Sequence, residues 1–80
     1  MKLSAEVLIE NATFDEWLIF FESYREKREK FVKNEVIQKL SESSARVDFE
    51  VTDLAGLTDL SAESEILDAE KRLGVSTKIL

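Results

Sequence analysis

Residues 36–51 read Val36-Ile37-Gln38-Lys39-Leu40-Ser41-Glu42-Ser43-Ser44-Ala45-Arg46-Val47-Asp48-Phe49-Glu50-Val51. The end of this stretch is clear. Val47, Phe49 and Val51 alternate strictly with Arg46, Asp48 and Glu50, the two-residue period of a half-buried strand. Ser41-Glu42-Ser43-Ser44 is a polar turn cluster. Val36–Ser41 admits two readings, a continuation of the preceding helix or a strand. A clean strand after a short polar turn wants an antiparallel neighbour, and 36–40 is the only apolar segment of matching length. We therefore read 36–51 as a hairpin. With a hairpin here a pleated layer organises the chain; without one, helices do.

Working outward, Leu3, Ala5, Val7 and Ile9 alternate with Lys2, Ser4, Glu6 and Glu10, which predicts a first strand broken in pattern only by Leu8. Asn11 and Ala12 interrupt it. Thr13 followed three residues later by Glu16 is a capping box, with Asp15 adding negative charge to the first turn. From there the period becomes helical. At about 100° per residue, Phe14, Trp17, Leu18, Phe21, Tyr24, Phe31 and Val32 share one broad arc. The predicted helix ends near 31–34, supported by the pairs Glu26–Lys30 and Glu29–Lys33. After the hairpin, 53–58 contains Gly56 and reads as a loop. A second helix is predicted over 59–73, with Ala62, Ile66, Ala69 and Leu73 on a narrow stripe and Gly74 as its terminating glycine. Val75, Thr77 and Ile79 mark a short last strand. The order βαββαβ, four antiparallel strands with two helices on one face, is the α+β ferredoxin-like architecture.

The chain has 80 residues, room for one domain spanning 1–80. Hydrophobic residues make up 44% and charged residues 35%, the balance of a globular chain rather than a disordered one. So small a domain buries only roughly 60–65% of its unfolded surface, and association of two copies is the common remedy. There is no cysteine, histidine or proline. That excludes a disulfide framework, thiolate or imidazole metal sites and the usual Ser-His and Cys-His nucleophile pairs. Seventeen acidic against eleven basic side chains, a net charge of -6, argues against general nucleic-acid binding. The third strand also places acids where an RNA-binding sheet carries aromatics. With only Gly56 and Gly74 there is no glycine-rich phosphate loop. No apolar run approaches the ~20 residues of a membrane span, and the first residues do not read as a signal peptide, so a cytoplasmic location is expected. Asn11-Ala12-Thr13 then matches a glycosylation sequon by chance.

Phe14-Asp15-Glu16-Trp17 at the first helix and Ser76-Thr77-Lys78-Ile79 near the end resemble small uncharacterised proteins of marine cyanobacteria and other marine bacteria, which belong to the dimeric α/β-barrel group of ferredoxin-like folds. The resemblance implies a homodimer in which two sheets face each other around a cavity. Relatives of that architecture include cofactor-independent monooxygenases, haem-degrading enzymes and chlorite dismutase-like proteins. The haem enzymes use a histidine ligand, and this chain has none.

If the helices cover Leu3, Val7, Ile9, Val47, Phe49 and Val51, the opposite sheet face carries Glu6, Leu8, Asp48 and Glu50, joined by Ile37 and Lys39 from the second strand. These six are the candidate cavity lining. Clustered carboxylates raise one another's pKa and can hold a cation, although a solvated face with Lys39 paired to an acid is the simpler reading. Arg25 and Arg28 fall within the apolar arc of the first helix, either as anion contacts or with stems covering the sheet edge and heads in water. The basic run from Arg25 to Lys33 is also a possible dock for an acidic partner. Trp17 and Tyr24 read as core; Ile19, Leu60 and Leu67 lie off the apolar stripes and are candidate subunit contacts. No catalytic, cofactor-binding or metal-ligating set is legible. The expectation is a homodimeric binding or structural module, without cofactor, taking a small molecule if any ligand. The alternative is a cofactor-independent monooxygenase or isomerase working on a small organic molecule in the dimer cavity.

Overall fold

A computed structural model describes all residues, 1–80. Its elements are β1 (Lys2–Ile9), α1 (Phe14–Ser23), α2 (Arg25–Arg28), β2 (Val32–Ser41), β3 (Ser44–Val51), α3 (Leu54–Ser61), α4 (Ser64–Leu73) and β4 (Val75–Ile79). The strands form one antiparallel sheet in the order β2-β3-β1-β4. The segment 36–51 is a hairpin and the fold is ferredoxin-like. No helix is long and apolar enough to cross a membrane. One sheet face packs on the helices: Ala5, Val7 and Ile9 of β1 and Ala45, Val47 and Val51 of β3 are buried there with Phe14 and Trp17 of α1.

The ends of the helical layer follow local chemistry. Thr13 Oγ1 accepts from the Glu16 N–H at 3.3 Å while Glu16 Oε1 accepts from the Thr13 N–H at 3.4 Å, so the capping box forms. Gly74 closes α4 at φ 69°, ψ 41°. A Cβ there would lie 2.9 Å from the Asn11 backbone nitrogen, which itself donates to Leu73 O at 3.0 Å. Gly74→Ala is therefore expected to cost about 1–2 kcal/mol, a fall of roughly 4–8 °C in thermal midpoint per kcal/mol for a domain of this size, readable by calorimetry.

Each expected helix is broken in two. The first ends at Ser23: the Tyr24 N–H turns back to Phe21 O at 3.3 Å, and Arg28 Nη1 donates to the same carbonyl at 2.8 Å, so it is satisfied without a longer helix. Val32 joins the sheet opposite Val51, and Lys33 turns to Glu50 at 3.7 Å rather than to Glu29. The expected loop at 53–58 is instead α3. Asp53 caps it, accepting from the Gly56 N–H at 3.0 Å. Gly56 is there because α3 packs against the Phe31 ring, which any Cβ at 56 would strike. Restarting the helix at Ser64 takes Ala62 off the buried stripe and buries Leu60 in α3, so Leu60 is a core residue rather than a subunit contact; Ile19 and Leu67 are 73% and 50% exposed.

Strand β2 corrects a second expectation. Its register against β3 slips between Lys33 and Val36, where Asn34 takes φ 56°, and again between Lys39 and Ser41. Each one-residue slip exchanges the faces of everything beyond it. Ile37 consequently pairs with Val47 and Lys39 with Ala45, on the helix-covered face, where Ile37 packs against the core. They do not join Glu6 and Asp48. Val36 and Leu40 face outward instead, 59% and 47% exposed.

Candidate functional site

The helical layer does not close on the sheet. Leu3, Phe49 and Leu57 line the gap and stay half-buried, whereas Ala5, Val47 and Leu60 beside them are buried. The space between the layers is a cavity of about 580 Å³, within the range of ~300–1,000 Å³ typical of small-molecule sites. Strands β1 and β3 form its floor, α1 contributes Trp17, Phe20, Phe21 and Tyr24, and α3 and α4 form the roof. Leu54 at the start of α3 and Ile79 at the end of β4 line it while 53% and 58% exposed, so it reaches solvent beside them.

Most of its polar lining is engaged within the protein. Thr58 Oγ1 donates to Leu54 O at 2.8 Å and Ser61 Oγ to Thr58 O at 2.9 Å. Arg28, 6% exposed, holds Glu35 in a fork, Nε to Oε2 at 2.6 Å and Nη2 to Oε1 at 2.8 Å, and its guanidinium lies 3.7 Å from the centre of the Phe21 ring. The acceptor for Arg28 is thus an internal carboxylate, and its head is not in water. Arg25 remains on the surface, bound to Glu22 at 2.7 Å.

Of the two charged lining residues, Glu70 differs from Arg28. It lines the cavity from α4, is half-buried, and forms no ion pair. At about 100° per residue it falls in the same arc as Ile66, Ala69 and Leu73, a charge inserted in an apolar stripe. That interruption was the sequence signal for this residue. Burial alone pushes its carboxyl above the usual glutamate range. Because the folded chain then holds this proton more tightly than the unfolded one, stability falls as pH rises from the ordinary carboxylate range through the raised value, and is level above it. Glu70→Gln is therefore expected to raise the thermal midpoint at pH 7 and to leave it unchanged at pH values below both titrations. Thermal melts of the two proteins across that range check this; equal midpoints at pH 7 would refute it.

The outer sheet face holds four of the six residues expected there. Glu6 lies opposite Arg46 and Lys78. Asp48 accepts from Arg46 Nε at 3.1 Å and from the Ser4 hydroxyl, and these two bonds, Arg46 first, hold its carboxyl below the usual range. Glu50 lies opposite Lys2 and accepts from Asn34 Nδ2 at 3.1 Å. Leu8 is 48% exposed. Lys39, on the other face, bonds Glu42 at 2.6 Å, which raises its pKa, and stands 5.6 Å from the Phe14 ring centre. The acids of the outer face are interleaved with cations, and no group of three or more acidic side chains is arranged to hold a metal ion.

No protein-family model matches the chain, and no curated protein matches it. Among solved structures, the chain is similar to a "putative antibiotic biosynthesis monooxygenase" from Deinococcus radiodurans, with a TM-score of 0.62 over 100% of this chain and 88% of that one, at 16% identity. At that identity the likeness is one of fold.

Proposed function

We propose that this is a small-molecule-binding protein whose ligand sits inside each protomer, between sheet and helices, rather than between the sheets of two subunits. One observation carries the reading: an apolar, aromatic-walled cavity of about 580 Å³ with a solvent opening, in a chain otherwise short of core. We propose further that two copies pair through their outer sheet faces, where Leu8, Val36 and Leu40 stand exposed among paired charges; sedimentation equilibrium tests that pairing.

Trp17 lines the cavity and is the only tryptophan, so its emission reports occupancy. Titration with 1-adamantanemethanol, an apolar alcohol that does not absorb in the tryptophan band, is expected to change that emission saturably. Thr77→Phe, which fills the cavity from an edge strand, is expected to weaken the response at least about tenfold, the effect of losing about 1.4 kcal/mol of binding. A response that does not saturate, or that Thr77→Phe leaves unchanged, would refute the site.

The description of the structural neighbour favours a second reading, oxygenation without a cofactor. A bound substrate would supply all four electrons that reduce O2, keeping one oxygen atom and releasing the other as water. Glu70 is the cavity carboxylate able to take a proton from such a substrate. Oxygen uptake that depends on an added organic substrate and is lost in Glu70→Gln would separate this enzyme from a binding protein.

A further inference from the structure

Resting on the reading of the cavity as a ligand site, we propose that its ligand has an apolar body and one protonated amine, and that Glu70 is the residue that selects the amine. The charge balance of the cavity points there. Of the cationic and acidic side chains, only Arg28 and Glu70 line it. Arg28 is neutralised by Glu35 at 2.6 and 2.8 Å, with its remaining bond on Phe21 O. It therefore presents no free positive charge to an anion. Glu70 has no cation beside it, and burial is the one influence on its carboxyl. The cavity therefore carries one unbalanced negative charge in apolar surroundings.

A protonated amine is the ligand group that answers this. It balances the charge and donates to the carboxylate, a bond roughly twice as strong as its neutral counterpart. A ligand carboxylate would be repelled, and an alcohol would leave the charge uncompensated. The walls suit an ammonium as well. Trp17 and Phe21 stack on each other at 4.8 Å, and Phe21 already carries Arg28 on its ring, but half-buried Phe49 takes part in no ring pair or cation contact. It lines the cavity, where an aromatic ring can attract a cation. Nothing in the packing of α4 asks for an acid at 70: a leucine would continue the stripe of Ile66, Ala69 and Leu73. The acid is a cost to the empty protein that a cationic ligand removes.

The test compares three probes of one shape, 1-adamantanemethylamine, 1-adamantanemethanol and 1-adamantanecarboxylate, through Trp17 emission at 0.15 M salt, where diffuse attraction of amines to an acidic protein is screened. The amine is expected to bind at least about tenfold more tightly than the alcohol, and the carboxylate more weakly than both. Glu70→Gln is expected to bring the amine-to-alcohol ratio to about one. Glu65→Gln, which removes an exposed acid of the same helix, is expected to keep the ratio. Alcohol and amine binding equally in the unaltered protein would overturn the role of Glu70 and leave the cavity reading standing. Binding by none of the three would overturn both. A ratio that survives Glu70→Gln would assign the preference to other groups and overturn the inference.

Discussion

Trp17→Ala is expected to lower the free energy of unfolding by about 3–5 kcal/mol. Trp17 is 1% exposed and holds Phe14 at 5.7 Å and Phe21 at 4.8 Å between ring centres. It sits where β1, β3 and α1 meet, against Val7, Ala45 and Val47. Two features put the cost toward the upper end. The indole already borders the cavity, so its removal enlarges a space that the helices have not collapsed to fill. The stack with Phe21 also positions the ring on which Arg28 lies, so the loss reaches the ion pair beyond it. A domain of this length commands only about 4–12 kcal/mol in total, and the variant is expected to be largely unfolded near 37 °C. Urea denaturation followed by circular dichroism reads the effect, since the fluorophore is gone. A midpoint within 0.5 M of the parent protein, at an m-value of about 1–3 kcal/mol/M, would show that Trp17 is not the centre of the core.

The strands and their order were legible because burial on one face imposes a period of two, and Ala5, Val7, Ile9 and Val47 each obey it. The capping box and Gly74 were legible because a helix terminus leaves backbone groups that only a few residue types satisfy. What escaped depends on contacts that a local period does not record. Gly56 resembles a loop glycine until the Phe31 ring is seen against it. Arg28 bonds Phe21 O from outside the helix, a role its position in the apolar arc does not reveal. The faces of Ile37 and Lys39 turn on two register slips that the mixed pattern of 36–40 does not encode, since apolar residues occupy both phases. The cavity is a failure of two layers to meet, which no run of residues can state. Its one trace in the sequence is Glu70 within an apolar stripe.

The ion pair at the edge of that cavity gives the second large effect. Arg28→Met is expected to cost about 3–5 kcal/mol, because it leaves Glu35, whose side chain is 12% exposed, without its bidentate partner. Arg25 compensates only in part, since its Nη2 stands 3.8 Å from Glu35 Oε1 and its head is half exposed and already bonded to Glu22. The cost lies in the orphaned carboxylate rather than in the net worth of the pair, and this distinction can be measured. The double variant Arg28→Met with Glu35→Leu removes both charges and is expected to recover most of the loss, because a buried pair replaced by apolar groups is often neutral or better. It should fall short of the parent protein by about 1 kcal/mol, the share of the bond from Arg28 Nη1 to Phe21 O at 2.8 Å, which methionine cannot make. Urea midpoints for the two single variants and the double close the cycle. A double variant as unstable as Arg28→Met alone would mean that Arg28 holds the molecule through α1 and the Phe21 ring, and that Glu35 is incidental to it.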